Sequence, residues 1–348
     1  MKLFLMGLPG LASLMSREAS AVESLTVRAT GFDGRSDVVF LDAKRSGMGD
    51  AVQLRLSEDV FIELGRAHPA ARDTPRLISQ RLWSTGAVEK ALSHWVESGH
   101  ILRGAMTFRV ITRVLHEASF RRTDLRTAME RVIGNDRRRW RRDDPSELEV
   151  WVIEYATDAF VAGLRLSDSS MRQHAGRAVE RHGALRPTLA AAMVRLAGDP
   201  PGTILDPFCG SGTILSEALS AGWSAVGFDI DAEAVAVARQ NAPAARIAVG
   251  DAQSLDVADA SIQACVSNLP FGRQFGFDGA GAPGLGQVLN EMTRATRPGG
   301  RVVVVAPRIA RADVPSSLRP AERFELRLLG MRTALWAYDR RPNAGGGR

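Results

Sequence analysis

Through the second half of the chain, short apolar runs alternate with segments whose apolar residues recur every three to four positions. Runs at 204–206, 225–229, 247–250, one ending at 266–268, and 301–306 are interleaved with helical spacing at 214–219, 232–240 and 288–296. Short, continuously apolar strands joined by helices predict a mostly parallel sheet covered on both faces. Two further runs, 324–329 and 333–338, predict a closing antiparallel pair, and 297–300 (Arg-Pro-Gly-Gly) predicts a turn. The first half reads differently. Apolar runs at 3–6, 26–28, 38–41, 52–56 and 59–64, with a helix from Leu11, predict a small α+β unit. Helical periodicity follows through 67–100. A strand is expected at 107–114, a helix at 124–133, and a strand pair at 149–154 and 159–164. In 107–114 and 149–154 polar residues alternate with apolar ones, as on a sheet with one wet face.

The most informative stretch is Asp206-Pro207-Phe208-Cys209-Gly210-Ser211-Gly212-Thr213, where an apolar run ends in an acid and a Gly-rich turn enters a helix. Gly210 and Gly212 can take positive φ and leave bare backbone against a ligand. The dinucleotide fingerprint would need a third glycine where Leu215 stands, and a phosphate-binding loop would need Gly-Lys-Ser/Thr, which is missing. Asp206 can accept from a ligand ammonium group. The next run ends in Asp229, about 20 residues on, where a ribose hydroxyl pair lies in a doubly wound sheet. An amino acid joined to a nucleoside satisfies both ends, and S-adenosylmethionine is the expected cofactor. Asp231 competes for the ribose but is better placed to cap the helix that follows.

Composition narrows the setting. The 348 residues allow two or three domains, and no apolar run reaches membrane-spanning length. Residues 2–6 and 19–21 superficially resemble a signal peptide, but Gly7, Pro9 and Gly10 break the apolar stretch, so a strand, turn and helix are expected there. Two cysteines, Cys209 and Cys265, offer no disulfide framework and no metal-ligand cluster, which points to the cytoplasm and to no metal. The net charge of +6 is uneven: residues 101–142 hold twelve arginines against four acids. Such clustering predicts a phosphate-contacting surface. His174 and His182 have no triad or metal constellation around them in the sequence and are expected on the surface.

A second motif, Ser267-Asn268-Leu269-Pro270-Phe271-Gly272, ends another apolar run. It resembles the Asn-Leu-Pro-Phe-Gly form of the motif in enzymes that methylate exocyclic amines, in particular guanosine-N2 methyltransferases. Phe108-Arg109-Val110, Ser119-Phe120-Arg121-Arg122 and Val161-Ala162-Gly163-Leu164 resemble a THUMP domain, an RNA-binding module that follows a ferredoxin-like domain in tRNA-modifying enzymes. Leu185-Arg186-Pro187-Thr188-Leu189-Ala190 resembles the helix that precedes the first catalytic strand in the THUMP-linked guanosine methyltransferases. The resemblance implies that Asp206, Phe208, Cys209, Gly210 and Gly212 hold the methionine part of the cofactor. It implies that Asp229 and Ile230 hold ribose and flank adenine, and that Asp251 and Ala252 contact the adenine amine. Asn268 and the Leu269 carbonyl would accept the two N–H groups of a base amine, Pro270 would stiffen the loop, and Phe271 would stack on the flipped base. Arg109, Arg121, Arg122, Arg137, Arg138 and Arg139 are the expected RNA contacts.

The expected architecture is therefore α/β, with a Rossmann-like class I methyltransferase domain over a mostly parallel seven-stranded sheet, preceded by ferredoxin-like and THUMP domains. The expected bounds are 1–66 for the ferredoxin-like domain, 67–170 for the THUMP-like domain, 171–340 for the methyltransferase domain and 341–348 for a disordered tail. The partner is tRNA, with a monomer acting away from membranes. Methylation of ribosomal RNA or DNA, or RNA binding without catalysis, are the competing expectations.

Overall fold

A computed structural model describes residues 1–68, 73–115, 120–168, 170–174, 184–270, 284–328 and 331–342. The chain divides into two compact units, Met1–Arg172 and Gln173–Arg348.

The first unit is built on one sheet. Its elements in order are β1 (Lys2–Gly7), α1 (Ala12–Ser20), β2 (Leu25–Phe32), β3 (Asp37–Ala43), α2 (Gly47–Val52), β4 (Ser57–Ala67), α3 (Pro75–Leu82), α4 (Thr85–Glu97), β5 (Thr107–Arg113), α5 (Arg122–Asp136), β6 (Arg141–Arg142), β7 (Leu148–Ala156) and β8 (Ala159–Arg165). The strand order is β2-β3-β1-β4-β8-β7-β5-β6, so β4 pairs with β1 on one side and β8 on the other. One continuous sheet therefore runs across residue 66, where a domain boundary was expected. Phe4, Phe40, Phe61 and Trp151, drawn from four strands, pack in one buried cluster, with Phe4 and Phe61 stacked at 4.7 Å between centroids. Residues 2–7 are the buried strand β1. The Asp37 carboxylate on β3 accepts from the Gly10 and Ala12 N–H groups at 2.9 and 2.7 Å and so caps α1, whose own sequence supplies no side-chain cap.

Two local expectations for this unit need correction. Residues 52–56 do not form an extended run, because α2 claims Val52 and the chain then turns into β4. The alternation in β7 does not mark a wet face: Trp151, Val152 and Ile153 are all buried, and Glu154, 3% exposed, accepts from the Leu115 and Asp158 N–H groups. Its polar positions are internal partners rather than solvent contacts. In β5 the alternation persists, but Arg113 is tied to Asp33 and Ser36 at 2.7 and 3.0 Å and lies over the Trp151 ring.

A single turn, α6 (Ser170–Gln173), stands at the boundary between the units. The second unit then runs α7 (Pro187–Leu196), β9 (Thr203–Asp206), α8 (Thr213–Ser220), β10 (Ser224–Asp229), α9 (Ala232–Asn241), β11 (Arg246–Val249), β12 (Ile262–Asn268), α10 (Leu285–Ala295), β13 (Thr296–Ala306), β14 (Leu318–Leu328) and β15 (Met331–Arg340), with a short 3-10 turn at Arg311–Asp313. The sheet order is β11-β10-β9-β12-β13-β15-β14. The first five strands are parallel and β15 is antiparallel to both neighbours. This is a Rossmann-like α/β fold with an antiparallel edge. Val288, Leu289, Met292 and Ala295 on α10 bury one face against Val302, Val304 and Tyr338, each large side chain contributing roughly 1.5–3 kcal/mol on transfer from water. Residues 297–300, expected as a turn, are drawn into β13 beside a register shift in β12. His174, expected on the surface, is 5% exposed and faces the equally buried Glu217 at 2.8 Å. Among the described residues no helix is long and apolar enough to cross a membrane. His182 and the tail 343–348 lie outside the described residues.

Candidate cofactor and base site

Parallel strands bring their carboxyl ends to one edge of a sheet, and ligands bind doubly wound folds at that edge. Here β10, β9 and β12 are consecutive neighbours, so Asp229, Asp206 and Asn268 end up on adjoining strands despite lying 23 to 62 positions apart in sequence. Asp251 and Ala252 follow β11, one strand further out.

Asp206 is 1% exposed. Its Oδ1 accepts from the Ser267 hydroxyl at 2.6 Å and from the Phe208 N–H at 3.1 Å. Burial pushes the carboxyl up to about 7; the Ser267 and Phe208 donors pull it back, and the charge of Asp229 adds to the rise. Ser267 is a participant the motif did not flag. Its signal in the sequence was a hydroxyl interrupting an apolar strand, and only the pairing of β12 beside β9 reveals what it serves.

The loop after β9 is held from both sides. Cys209 N–H donates to the Phe228 carbonyl at 2.9 Å, Gly210 N–H to Asp229 Oδ2 at 2.8 Å, and the buried Asn241 amide to the Ser211 carbonyl at 2.8 Å. Gly212 has φ +81°, and a Cβ there would meet Ala238 Cα at 3.1 Å, so it is a packing glycine at the mouth of α8. Gly210, at φ +52°, would meet nothing within 4 Å. Its bare face opens on empty space, which is the cradle a ligand needs. Asp229 also accepts the Asp231 N–H at 3.0 Å, while Asp231 caps α9 through the Glu233 N–H at 2.9 Å. Beside them Ile230 is 76% exposed, an apolar side chain free for a flat ring to cover. Asp251 is exposed and turns its own loop by accepting the Gln253 N–H at 2.9 Å, with Ala252 buried beneath.

At the end of β12 the Asn268 Oδ1 is buried and has no hydrogen-bond partner among the described residues. A buried acceptor left open costs about 1–3 kcal/mol. The Leu269 N–H is bonded to the Val305 carbonyl at 3.2 Å, which fixes the peptide that follows Asn268. Phe271 lies outside the described residues.

The arginines sort into two groups. Arg109 is bound to Asp144 at 2.7 Å and Glu149 at 2.5 Å, and Arg137 to Glu89 and Asp136 at 2.7 and 3.1 Å. Arg138 and Arg139 are exposed, with no acid bound to them among the described residues; Arg121 is exposed, its backbone N–H donating to Asp124 at 2.9 Å, and Arg122 is exposed at the first turn of α5.

The strand order, the acid-tipped strands and the open glycine loop together define an S-adenosylmethionine-dependent methyltransferase. A buried acid near neutrality, a bare backbone cradle and an exposed isoleucine between two acids fit the three parts of that cofactor. The comparisons with known proteins agree. Residues 175–326 match the UPF0020 family, the RMKL-like methyltransferase domain. A tRNA (guanine(6)-N2)-methyltransferase of Thermus thermophilus is 30% identical over 285 residues, covering 77% of this chain and 78% of that enzyme. The chain belongs to the methyltransferase family of that enzyme. A tRNA (guanine(10)-N2)-dimethyltransferase of Methanothermobacter thermautotrophicus is 41% identical over 96 residues, 26% of this chain and 28% of its own length. In fold, the crystal structure of TrmN from Thermus thermophilus superposes with a TM-score of 0.73 at 24% identity, covering 97% of this chain and 99% of that one. The crystal structure of SMU.472 complexed with SAH gives 0.66 at 15% identity, covering 99% of each chain.

Proposed function

We propose that the protein methylates the exocyclic N2 amine of a guanosine in tRNA in the cytoplasm, the first unit docking the RNA as a THUMP-type module. The observation that carries this reading is the open, buried Asn268 Oδ1 next to Leu269 and Pro270, on the strand adjoining Asp206. An aromatic exocyclic amine has its lone pair delocalised into the ring and is a poor nucleophile while it stays planar. Asn268 Oδ1 accepts one N–H and the Leu269 carbonyl the other, which turns the nitrogen lone pair out of the ring toward the donor methyl. A neutral amide suits a nitrogen that becomes positive and then releases a proton. Pro270 contributes no N–H to compete for these acceptors.

When bound, S-adenosylmethionine supplies a methyl group on a sulfonium centre. Asp206 would receive its ammonium group, the bare face of Gly210 would admit the methionine chain, Asp229 would accept from the ribose, Ile230 would flank the base, and Asp251 with Ala252 would meet its amine. The exposed arginines Arg121, Arg122, Arg138 and Arg139 contact phosphates without reading sequence. The names of the two tRNA-modifying relatives support the substrate class, and the similar order of motifs along the chain supports the amino-terminal module.

The test is mass spectrometry of nucleosides from small RNA of cells with and without the gene, followed by incubation of the deficient RNA with purified protein and S-adenosylmethionine. Restored N2-methylguanosine in tRNA is the expected result. Restoration of a different methylated base, or of none, refutes it.

A further inference from the structure

The antiparallel edge of the second unit carries a charge arrangement that its own fold does not need. In the β14–β15 hairpin, Arg327 stands directly opposite Arg332. Both are exposed, and neither has a hydrogen-bond or ion-pair partner among the described residues. Like charges facing each other across an antiparallel pair destabilise it. The acid nearest on the same face, Glu325, is engaged by Arg323, which lies 4.4 Å over the Trp336 ring. Arg319, at the far end of the hairpin, shares the Asp339 carboxylate with Arg301, at 3.3 and 3.1 Å. At the tip neither Arg327 nor Arg332 has an acid beside it among the described residues.

The register shows which end of the sheet this tip occupies. Asn268 is level with Val305 on β13, Val305 with Leu335 on β15, and Leu335 with Phe324 on β14. Because β15 runs antiparallel to β13, its first residues lie beyond the carboxyl ends of the parallel strands, on the same edge as Asp206, Asp229 and Asn268. Arg332 is three residues past Leu335, about 10 Å beyond the level of Asn268, and two strand spacings, about 10 Å, across the sheet. Arg308, exposed and two residues past the end of β13, belongs to the same edge.

We propose that Arg327 and Arg332, with Arg308 on the same edge, clamp phosphates of the RNA strand flanking the base that enters the site. The inference rests on the reading that the substrate is tRNA. A phosphate between two facing arginines turns a repulsive pair into a bidentate anion site, and its distance from Asn268 is one that a few nucleotides span. The clamp holds the backbone while the base is drawn out, a positioning task separate from the chemistry at Asn268.

The test compares full-length wild type with the double variant Arg327→Ala/Arg332→Ala and with Arg319→Ala, whose guanidinium already has a carboxylate partner in Asp339. Purified tRNA binding is measured as a function of salt, together with S-adenosylmethionine affinity, melting temperature without RNA, and turnover. The double variant is expected to lose about 0.7–0.9 from the slope of log affinity against log salt, from the one phosphate the pair holds. Cofactor affinity stays within about twofold, and the RNA-free melting temperature is unchanged or raised, as the repulsive pair is gone. Arg319→Ala leaves the slope unaltered. An unchanged slope in the double variant, while wild type still methylates tRNA, overturns the clamp and leaves the proposed function standing. A lowered melting temperature with the slope intact assigns the pair a structural role and also overturns it. A variant defective only in cell extract, and normal with purified RNA, assigns the pair to an acidic protein and overturns the clamp as well. Should wild type methylate another base while the slope drop persists, the clamp stands and the N2 reading falls.

Discussion

Asp206 gives the site a pH dependence whose sign and size follow from its surroundings. Its carboxyl is pushed up to about 7, chiefly by burial. A cofactor ammonium group needs the ionised form, so binding releases a proton wherever Asp206 is protonated beforehand. At pH 8 about nine-tenths of the free protein is ready, and at pH 6 about one-tenth, so the apparent dissociation constant should rise about tenfold between them. Stability of the ligand-free fold runs the other way. A carboxyl raised above its unfolded value of 3.8 contributes stability that is fully present below that value and is lost as pH rises through about 7. Between pH 6 and 8 this one group should cost the free protein about 1.4 kcal/mol. Titration calorimetry with S-adenosylmethionine at several pH values, in buffers of different ionisation enthalpy, measures both affinity and proton release; denaturant unfolding measures stability. Asp206→Asn should flatten both profiles, and Ser267→Ala, which removes a donor to the carboxylate, should move the midpoint upward. A wild-type affinity that is flat from pH 6 to 8, or that strengthens toward acid, refutes the assignment.

Further outcomes are expected elsewhere. Asn268→Ala should lower turnover by about 10²-fold, the scale on which single preorganised hydrogen-bonding groups act, with cofactor and tRNA affinities within about threefold; loss of both affinities would mean the loop is structural. Gly212→Ala should cost about 1–3 kcal/mol in denaturant unfolding, from positive φ and the contact with Ala238. Gly210→Ala, facing open space, should cost about 1–2 kcal/mol of backbone strain and mainly weaken cofactor binding in calorimetry. The pair Arg138→Ala/Arg139→Ala should lower the tRNA salt slope by about 1.4–1.8, whereas Arg109→Ala, which breaks the links to Asp144 and Glu149, should show in unfolding as about 1 kcal/mol lost. An unchanged slope in the first pair would move the RNA to another face.

Much of the second unit was legible because its signals are local. Buried parallel strands need unbroken apolar runs, and an acid or an asparagine at the end of such a run must lie at a sheet edge, so the positions of Asp206, Asp229 and Asn268 were readable from spacing alone. Gly210 and Gly212 marked the turn, but which one packs and which one opens was not readable, since Ala238 approaches only after α9 folds back. Tertiary pairing decided the rest. It placed β12 beside β9, so that Ser267 reaches Asp206 across 61 positions of sequence. It buried His174 against Glu217, two residues whose local surroundings said nothing of each other. It covered β7 on both sides, because Glu154 has internal partners that no two-residue period can announce. It also divided the arginines. Composition could count them, but only the folded chain determines which guanidinium groups find a carboxylate of their own and which remain for an outside anion, because ion pairs form between residues brought together by the sheet and not by the sequence.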